Sequence, residues 1–257
     1  VYFGNYTPNE SNNGSELFLN ASVDFSIEGG FYSSGTALTL STNDSIAEIR
    51  YTVDGSLPDS LSPIYNNAFT LNSTTLVRAQ AFKPGYISSV QNEEFYLINN
   101  THDLPVVQIT IDPKYLWDEQ EGMYITGENG ITGNCSDFEA RNWNRDWERP
   151  ISIRYFEPDG EEAFHLDAGM KIAGGCSRAF AMKPFNIFFR DNKVEYPIFE
   201  QLDFQDFKRL KLRMSGNDFP LTMVRDASIH AMLAGQVDLD LMAYNPVVVY
   251  LNNEYWG

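Results

Sequence analysis

The chain has 257 residues, 43% hydrophobic, 14% aromatic and 21% charged, with a formal net charge of −17. This composition supports one large or two ordinary domains with real cores and excludes wholesale disorder. The acidic excess argues against nucleic acid and anionic membrane surfaces as partners, and no apolar run reaches the roughly 20 residues of a membrane span. Any site for a phosphate-bearing anion must be locally basic, because the acidic excess repels it at long range.

The chain opens at Val1 without a Met or a signal-peptide pattern, as a mature or trimmed chain would. Residues 1–24 are rich in Asn, Ser, Glu and Gly and read as a flexible arm or the end of a preceding module. From 25 to 98 short alternating runs appear: 37–41, 48–53, 68–71, 75–82 and 93–97. Turn pairs separate them, including Asn43-Asp44, Asp54-Gly55, Pro58-Asp59 and Pro84-Gly85. That spacing predicts an antiparallel β-sandwich. Tyr51-Thr52-Val53-Asp54-Gly55 with Pro58, followed by Arg78-Ala79-Gln80-Ala81, resembles the chitobiase C-terminal-type domain, a spacer-like sandwich similar in build to fibronectin type III and immunoglobulin modules. Asp54 and Asp59 suggest a calcium ion, but an Asp-Gly turn explains them without one. Tyr32, Tyr65 and Tyr86 are either a carbohydrate platform or core and turn residues.

A polar linker, 99–103, precedes a second unit, 104–257. It begins with a strand at 106–111. Asp112-Pro113 then signals a short helix near 114–119, because Asp caps and Pro fits the first turn. Residues 126–140 read as a loop, 150–156 as a strand and 157–160 as a tight turn. Strands are expected at 163–166, 169–173, 184–190 and 207–213. A helix should follow, capped by Asn217 or Asp218, with Pro220 in its first turn and Gly235 at its end. Its apolar face would carry Val224, Ala227, Ala231 and Ala234. The run 246–251 is nearly continuously apolar, which predicts a central strand. Asn252-Asn253 makes a hairpin turn, and 254–257 begin a return strand. Ending within so short a strand suggests a fragment of a longer protein.

Within 169–190, Gly174 and Gly175 precede Ser177, Arg178 and Lys183. Paired glycines let a backbone turn tightly or approach a ligand, and the polar residues beside them suit an anion. The stretch matches neither a P-loop nor a dinucleotide fingerprint. A plain hairpin or bulge is the alternative.

Cys135 and Cys176 lie outside any CxxC pair, which disfavours zinc. Either they form a disulfide in an exported protein, or both are buried thiols. Asn-x-Ser/Thr triplets stand at Asn5, Asn9, Asn13, Asn20, Asn43, Asn72, Asn99 and Asn134, and none follows. Composition alone could generate them; as glycosylation sites they imply secretion or display at the cell surface.

Further strings in the second unit resemble the CotH kinase family of atypical protein kinases, typified by spore-coat protein H. They are 146–150 (DWERP), 156–160 (FEPDG), Ala168-Gly169, Gly174-Gly175 with Ser177-Arg178, Lys183, Arg213 with 215–218 (SGND), Arg225-Asp226 and 253–257 (NEYWG). The resemblance implies an α+β, kinase-like N-lobe, so the whole chain is expected to be a β-rich two-domain protein. It implies that Lys183 grips ATP phosphates, that Arg178 assists, and that Asp226 orients Lys183 as an acid does in ordinary kinases. The alternatives for Asp226 are an ion pair with Arg225 or Arg213, or a helix-surface charge; for Arg178, a bridge to Glu148 or Asp218. The family's catalytic aspartates and magnesium ligands fall after the Glu-Tyr-Trp-Gly string, so no catalytic residue is assigned here. ATP and Mg2+ are expected of a full-length member, acting on Ser/Thr of a secreted or surface protein partner. Cys176 and Pro184 depart from the family pattern, which keeps a non-catalytic surface, adhesion or assembly role open.

Overall fold

The computed structural model describes residues 2–3, 15–133, 138–219 and 221–257. The chain divides into two compact units, Val1–Thr101 and His102–Gly257.

The first unit is a β-sandwich. One sheet orders Gly30–Tyr32, Asn92–Ile98, Thr75–Phe82 and Glu48–Thr52, antiparallel except that Gly30–Tyr32 runs parallel to Asn92–Ile98. Val23–Phe25 pairs with Leu40–Thr42, and Thr36–Leu38 with Phe69–Leu71. The inward residues Val23, Leu38, Val77, Ala79, Ala81 and Tyr96 are sealed in one core. The polar opening of the chain is not wholly an arm. Ser15–Phe18 pairs in parallel with Tyr86–Ile87, and Leu19 and Val23 are buried, so the apolar residues among the asparagines and serines draw residues 15–24 into this unit.

Arg78 explains the spacing of this unit's signature. It sits on the longest strand of the sandwich, is buried, and donates to the Gly55 carbonyl at 2.6 Å and to Gln91 Oε1 at 2.7 Å. Its Nε lies 3.1 Å from Glu93. The arginine therefore pins the Asp54-Gly55 turn to the central strands. Gly55 has φ +91°, a region a side chain would strain. Asp54 accepts the Ser56 N–H and hydroxyl, and Asp59 accepts the Leu61 N–H and the Ser62 hydroxyl. Both therefore serve as turn-forming side chains.

The second unit is built on a seven-stranded mixed sheet. Its order is Arg209–Leu212, Phe185–Phe188, Glu162–Ile172, Arg149–Phe156, Val106–Thr110, Val248–Leu251, Glu254–Tyr255. Every pairing is antiparallel except Val106–Thr110 with Val248–Leu251. The apolar 246–251 run is therefore next to the edge rather than central. Its register faces Val107 and Ile109 from the opposite end of the unit's sequence. One sheet face is apolar, with Ile109, Ile151, Ile153, Met170, Ile187 and Leu251 in a single core.

The helices are short: Lys114–Trp117 and Arg225–Leu233. The second starts later than its sequence suggests, because Gly216–Asp218 forms a 3-10 turn instead. Asp218 nonetheless accepts the N–H of Arg225, the first helical residue, as well as the Thr222 hydroxyl. The Thr222 bond leads the effects that hold its carboxyl below the usual range. The side chain of Asn217, and Pro220, lie outside the described residues. No residue of this helix is buried. Ala227 is half-buried while Val224 and Ala231 are exposed, so the expected apolar face does not enter the core.

Candidate functional site

The Gly174 turn is organised by its own arginine. Gly174 has φ +83°, and the Ser177 hydroxyl occupies the space where a Cβ on Gly174 would sit. Gly175 leads into the single turn Cys176–Ala179. Arg178 folds back from it, donating through Nε to the Gly174 carbonyl at 2.8 Å and through Nη1 to the Asn144 carbonyl at 3.2 Å. Burial pushes its pKa down, opposed by the charge of Asp146. Arg178 bridges neither Glu148 nor Asp218: Glu148 binds Arg190, and Asp218 pairs with Arg225 at 3.1 Å.

Lys183 lies two residues before the Phe185–Phe188 strand and is buried. Its ammonium donates to the carbonyls of Arg178 at 2.7 Å and Phe180 at 3.0 Å. It also sits 4.2 Å from the Trp143 ring centre and 5.1 Å from that of Tyr124. Taking an ammonium out of water is costly unless its hydration is replaced; two carbonyls and two aromatic faces replace it here. The sequence thus brings Gly174, Gly175, Ser177, Arg178 and Lys183 to one place.

Tyr124, unforeseen in the sequence, is the junction behind Lys183. Its hydroxyl accepts the Lys183 N–H at 2.9 Å and the Trp256 indole N–H at 3.1 Å, and donates to the Ala181 carbonyl at 2.8 Å. Burial raises its pKa. No periodicity marks a tyrosine inside a Gly-, Asn- and Glu-rich loop. Only its proximity to Trp117 and the alternating Trp143 and Trp147 hints at an aromatic cluster.

Beside Lys183 opens a cavity of about 470 Å³, within the range of small-molecule sites. Its walls are mostly apolar, including Ile153, Ile187 and Val249. Lys183, Arg213, Asp226 and His230 provide polar groups, and Trp256 also lines it. Asp226 does not orient Lys183; it pairs with Arg213 at 2.8 Å, because the helix carries it over the strand that ends at Leu212. His230 Nδ1 accepts the Met242 N–H at 2.8 Å, which ties the same helix to the following segment. An apolar slot with cationic groups suits a base and its phosphates. Among the described residues, no group of three or more His, Cys, Asp or Glu is placed to hold a metal ion.

Cys176 is exposed and engaged in a disulfide, so the buried-thiol reading does not hold for it; Cys135 lies outside the described residues. Of the triplet asparagines, Asn20, Asn43, Asn72 and Asn99 are exposed, while Asn5, Asn9, Asn13 and Asn134 lie outside the described residues. Asn43, Asn72 and Asn99 use their side-chain oxygens as acceptors, for Ser22, Ser34 and Ser34 respectively, which does not engage the nitrogen a glycan would modify. Tyr32 and Tyr65 pack against the sandwich core, and Lys83 lies 5.0 Å from the ring centre of Tyr86.

Fold and site together describe a β-sandwich in tandem with a mixed-sheet unit that carries a lysine-walled cavity. Comparison with protein families gives the same pair in the same order: the chitobiase/beta-hexosaminidase C-terminal domain matches residues 27–92, and the CotH kinase protein family matches residues 170–257. No curated protein and no solved structure matches the chain. No helix among the described residues is long and apolar enough to cross a membrane.

Proposed function

We propose that the second unit binds ATP through the Lys183 cavity, as the nucleotide-binding part of an exported, CotH-type protein kinase that phosphorylates Ser/Thr on secreted or surface proteins. The observation that carries this reading is that the buried Lys183 is one of the residues lining a largely apolar cavity. The base would enter the apolar slot, and Lys183 and Arg213 would meet the phosphates as charged donors. Magnesium would bring charge neutralisation to the phosphates. Its ligands are expected in the lobe that the family resemblance places after Gly257. An α+β, N-lobe-like character for residues 104–257 belongs to the same reading.

Trp143 and Trp256 bracket Tyr124 and Lys183, so indole fluorescence is the natural probe. Titration with ATP should change it saturably, with a matching heat of binding in calorimetry. Flat traces in both would end the nucleotide reading.

A second reading, a non-catalytic surface or assembly protein with a pseudokinase-like unit, draws on the Arg213–Asp226 pair, which commits Asp226 to Arg213. Transfer of labelled γ-phosphate to protein by the full-length chain separates the two.

Export joins the disulfide to the sequons. Intact mass of protein secreted from a glycosylating host should show hexose-bearing species that enzymatic deglycosylation removes, with modification at Asn43, Asn72 and Asn99. Reduction should then add two hydrogens by opening a Cys135–Cys176 bond. In the loop-entropy model that bond stabilises by roughly 3–4 kcal/mol, so reduction should also lower the melting temperature. An unmodified mass that reduction leaves unchanged would refute both expectations.

A further inference from the structure

The most basic segment of this acidic chain is 208–213, Lys-Arg-Leu-Lys-Leu-Arg. It contains the Arg209–Leu212 strand, which ends the seven-stranded sheet and, among the described residues, has a hydrogen-bonded neighbour strand on one side only. The register sets what each side chain meets. Leu210 and Leu212 stand opposite Ile187 and Phe185 and pack against the core. Arg209 and Lys211, opposite Phe188 and Asn186, project from the other face and are exposed.

On that face positive charge collects around Phe188. Its ring centre lies 4.8 Å from the Arg209 guanidinium, 4.7 Å from that of Arg190 and 5.6 Å from the Lys171 ammonium. Glu148 compensates Arg190 and Lys171, and Asp146 adds a second partner for Lys171. Among the described residues, by contrast, no carboxylate forms an ion pair with Lys208, Arg209 or Lys211. A protein with 35 acidic and 18 basic residues thus leaves three exposed cations together at an open sheet edge.

We propose that this edge receives an extended acidic polypeptide segment as an added β-strand. Main-chain bonds to the open edge would hold the segment, and alternate side chains would select it. Acidic residues two apart would meet Arg209 and Lys211, with an apolar residue between them on the Leu210 and Leu212 side. A second copy of the same strand is the wrong occupant, because edge-to-edge pairing sets cation against cation. Residues 209–213 also line the Lys183 cavity, so an added strand would lie against it.

The test uses a fluorescein-labelled peptide of alternating Glu and Val, followed by anisotropy at low salt. Saturable binding is expected, weakened about tenfold or more by Arg209→Glu with Lys211→Glu, which corresponds to about 1.4 kcal/mol or more. A Lys/Val peptide should bind the reversed variant, and N-methylation of alternate peptide amides should abolish binding. Unchanged thermal melting, checked in parallel, shows that the exposed substitutions leave the fold intact. No binding by the alternating peptide would mean that the cations only guard the edge against association, and would overturn the proposal. Equal binding of a Glu-block/Val-block peptide of the same composition, or of oligothymidine, would reduce the edge to a general anion patch and overturn it as well.

Discussion

Replacing Arg78 by Met should cost the first unit about 3–5 kcal/mol, the cost typical of breaking a buried ion pair from one side. The methionine can fill much of the arginine stem's volume. It cannot replace the bonds to Gly55 and Gln91, and it strips Glu93 of its guanidinium in a site where both side chains are at most 10% exposed. Set against a typical domain stability of about 5–15 kcal/mol, that is enough to bring the sandwich close to unfolding. Urea denaturation of the isolated first unit would display the loss as a lower midpoint with an unchanged slope. Converting Glu93 to Leu in the same chain should recover much of it, because an apolar pair of similar volume is often as stable as the ion pair it replaces. A single variant as stable as the parent would show that the turn does not depend on Arg78.

The second large effect is expected at Lys183. Lys183→Met removes the charge while keeping a long apolar stem beneath Trp143. If the cavity holds a nucleotide, affinity should fall by about tenfold to a hundredfold, as expected when a charge-assisted contact worth about 1.5–3 kcal/mol is lost. The Arg178 and Phe180 carbonyls would lose a donor, so stability should also drop, by about 1–3 kcal/mol. Titration of the indole signal separates the two consequences, because a destabilised but folded protein that binds as well as the parent would remove Lys183 from the site. Lys183→Arg should restore little of either, since a planar fork does not match two carbonyls set for a compact ammonium.

Much of the sandwich was legible because its strands alternate and are separated by turn residues. Tyr51, Asp54, Gly55 and Arg78 carried the family resemblance, while the bond by which the arginine fastens the turn came only from the structure. The gathering of Arg178 and Lys183 at the Gly174 turn was legible for a similar reason: a glycine with positive φ and a short turn leave few directions for the residues after it. Pairing between distant side chains was not legible. The sequence offered Asp226 either Lys183 or an ion pair with Arg225 or Arg213, and nothing local selects Arg213, because that depends on where a nine-residue helix lands relative to a strand. The helix itself was placed too early and given an apolar face, because Pro220 and Asp218 look like a start and its alanines look like a stripe. Tyr124 was missed altogether, since a loop side chain acquires its role from tertiary contacts that no pattern encodes.

The parallel pairing of Val106–Thr110 with Val248–Leu251 has a consequence for how the protein is made. Val106 aligns with Val248, so the two halves of that ladder leave the ribosome far apart in time. At about 5–20 residues per second, that separation amounts to roughly 7–30 s of synthesis. The first unit can close meanwhile, since its own pairings are complete by Ile98. Val106–Thr110 can gain its Arg149–Phe156 neighbour early, but its other edge stays exposed until residue 251 has emerged. Until then that apolar strand keeps one edge open to pairing with other chains.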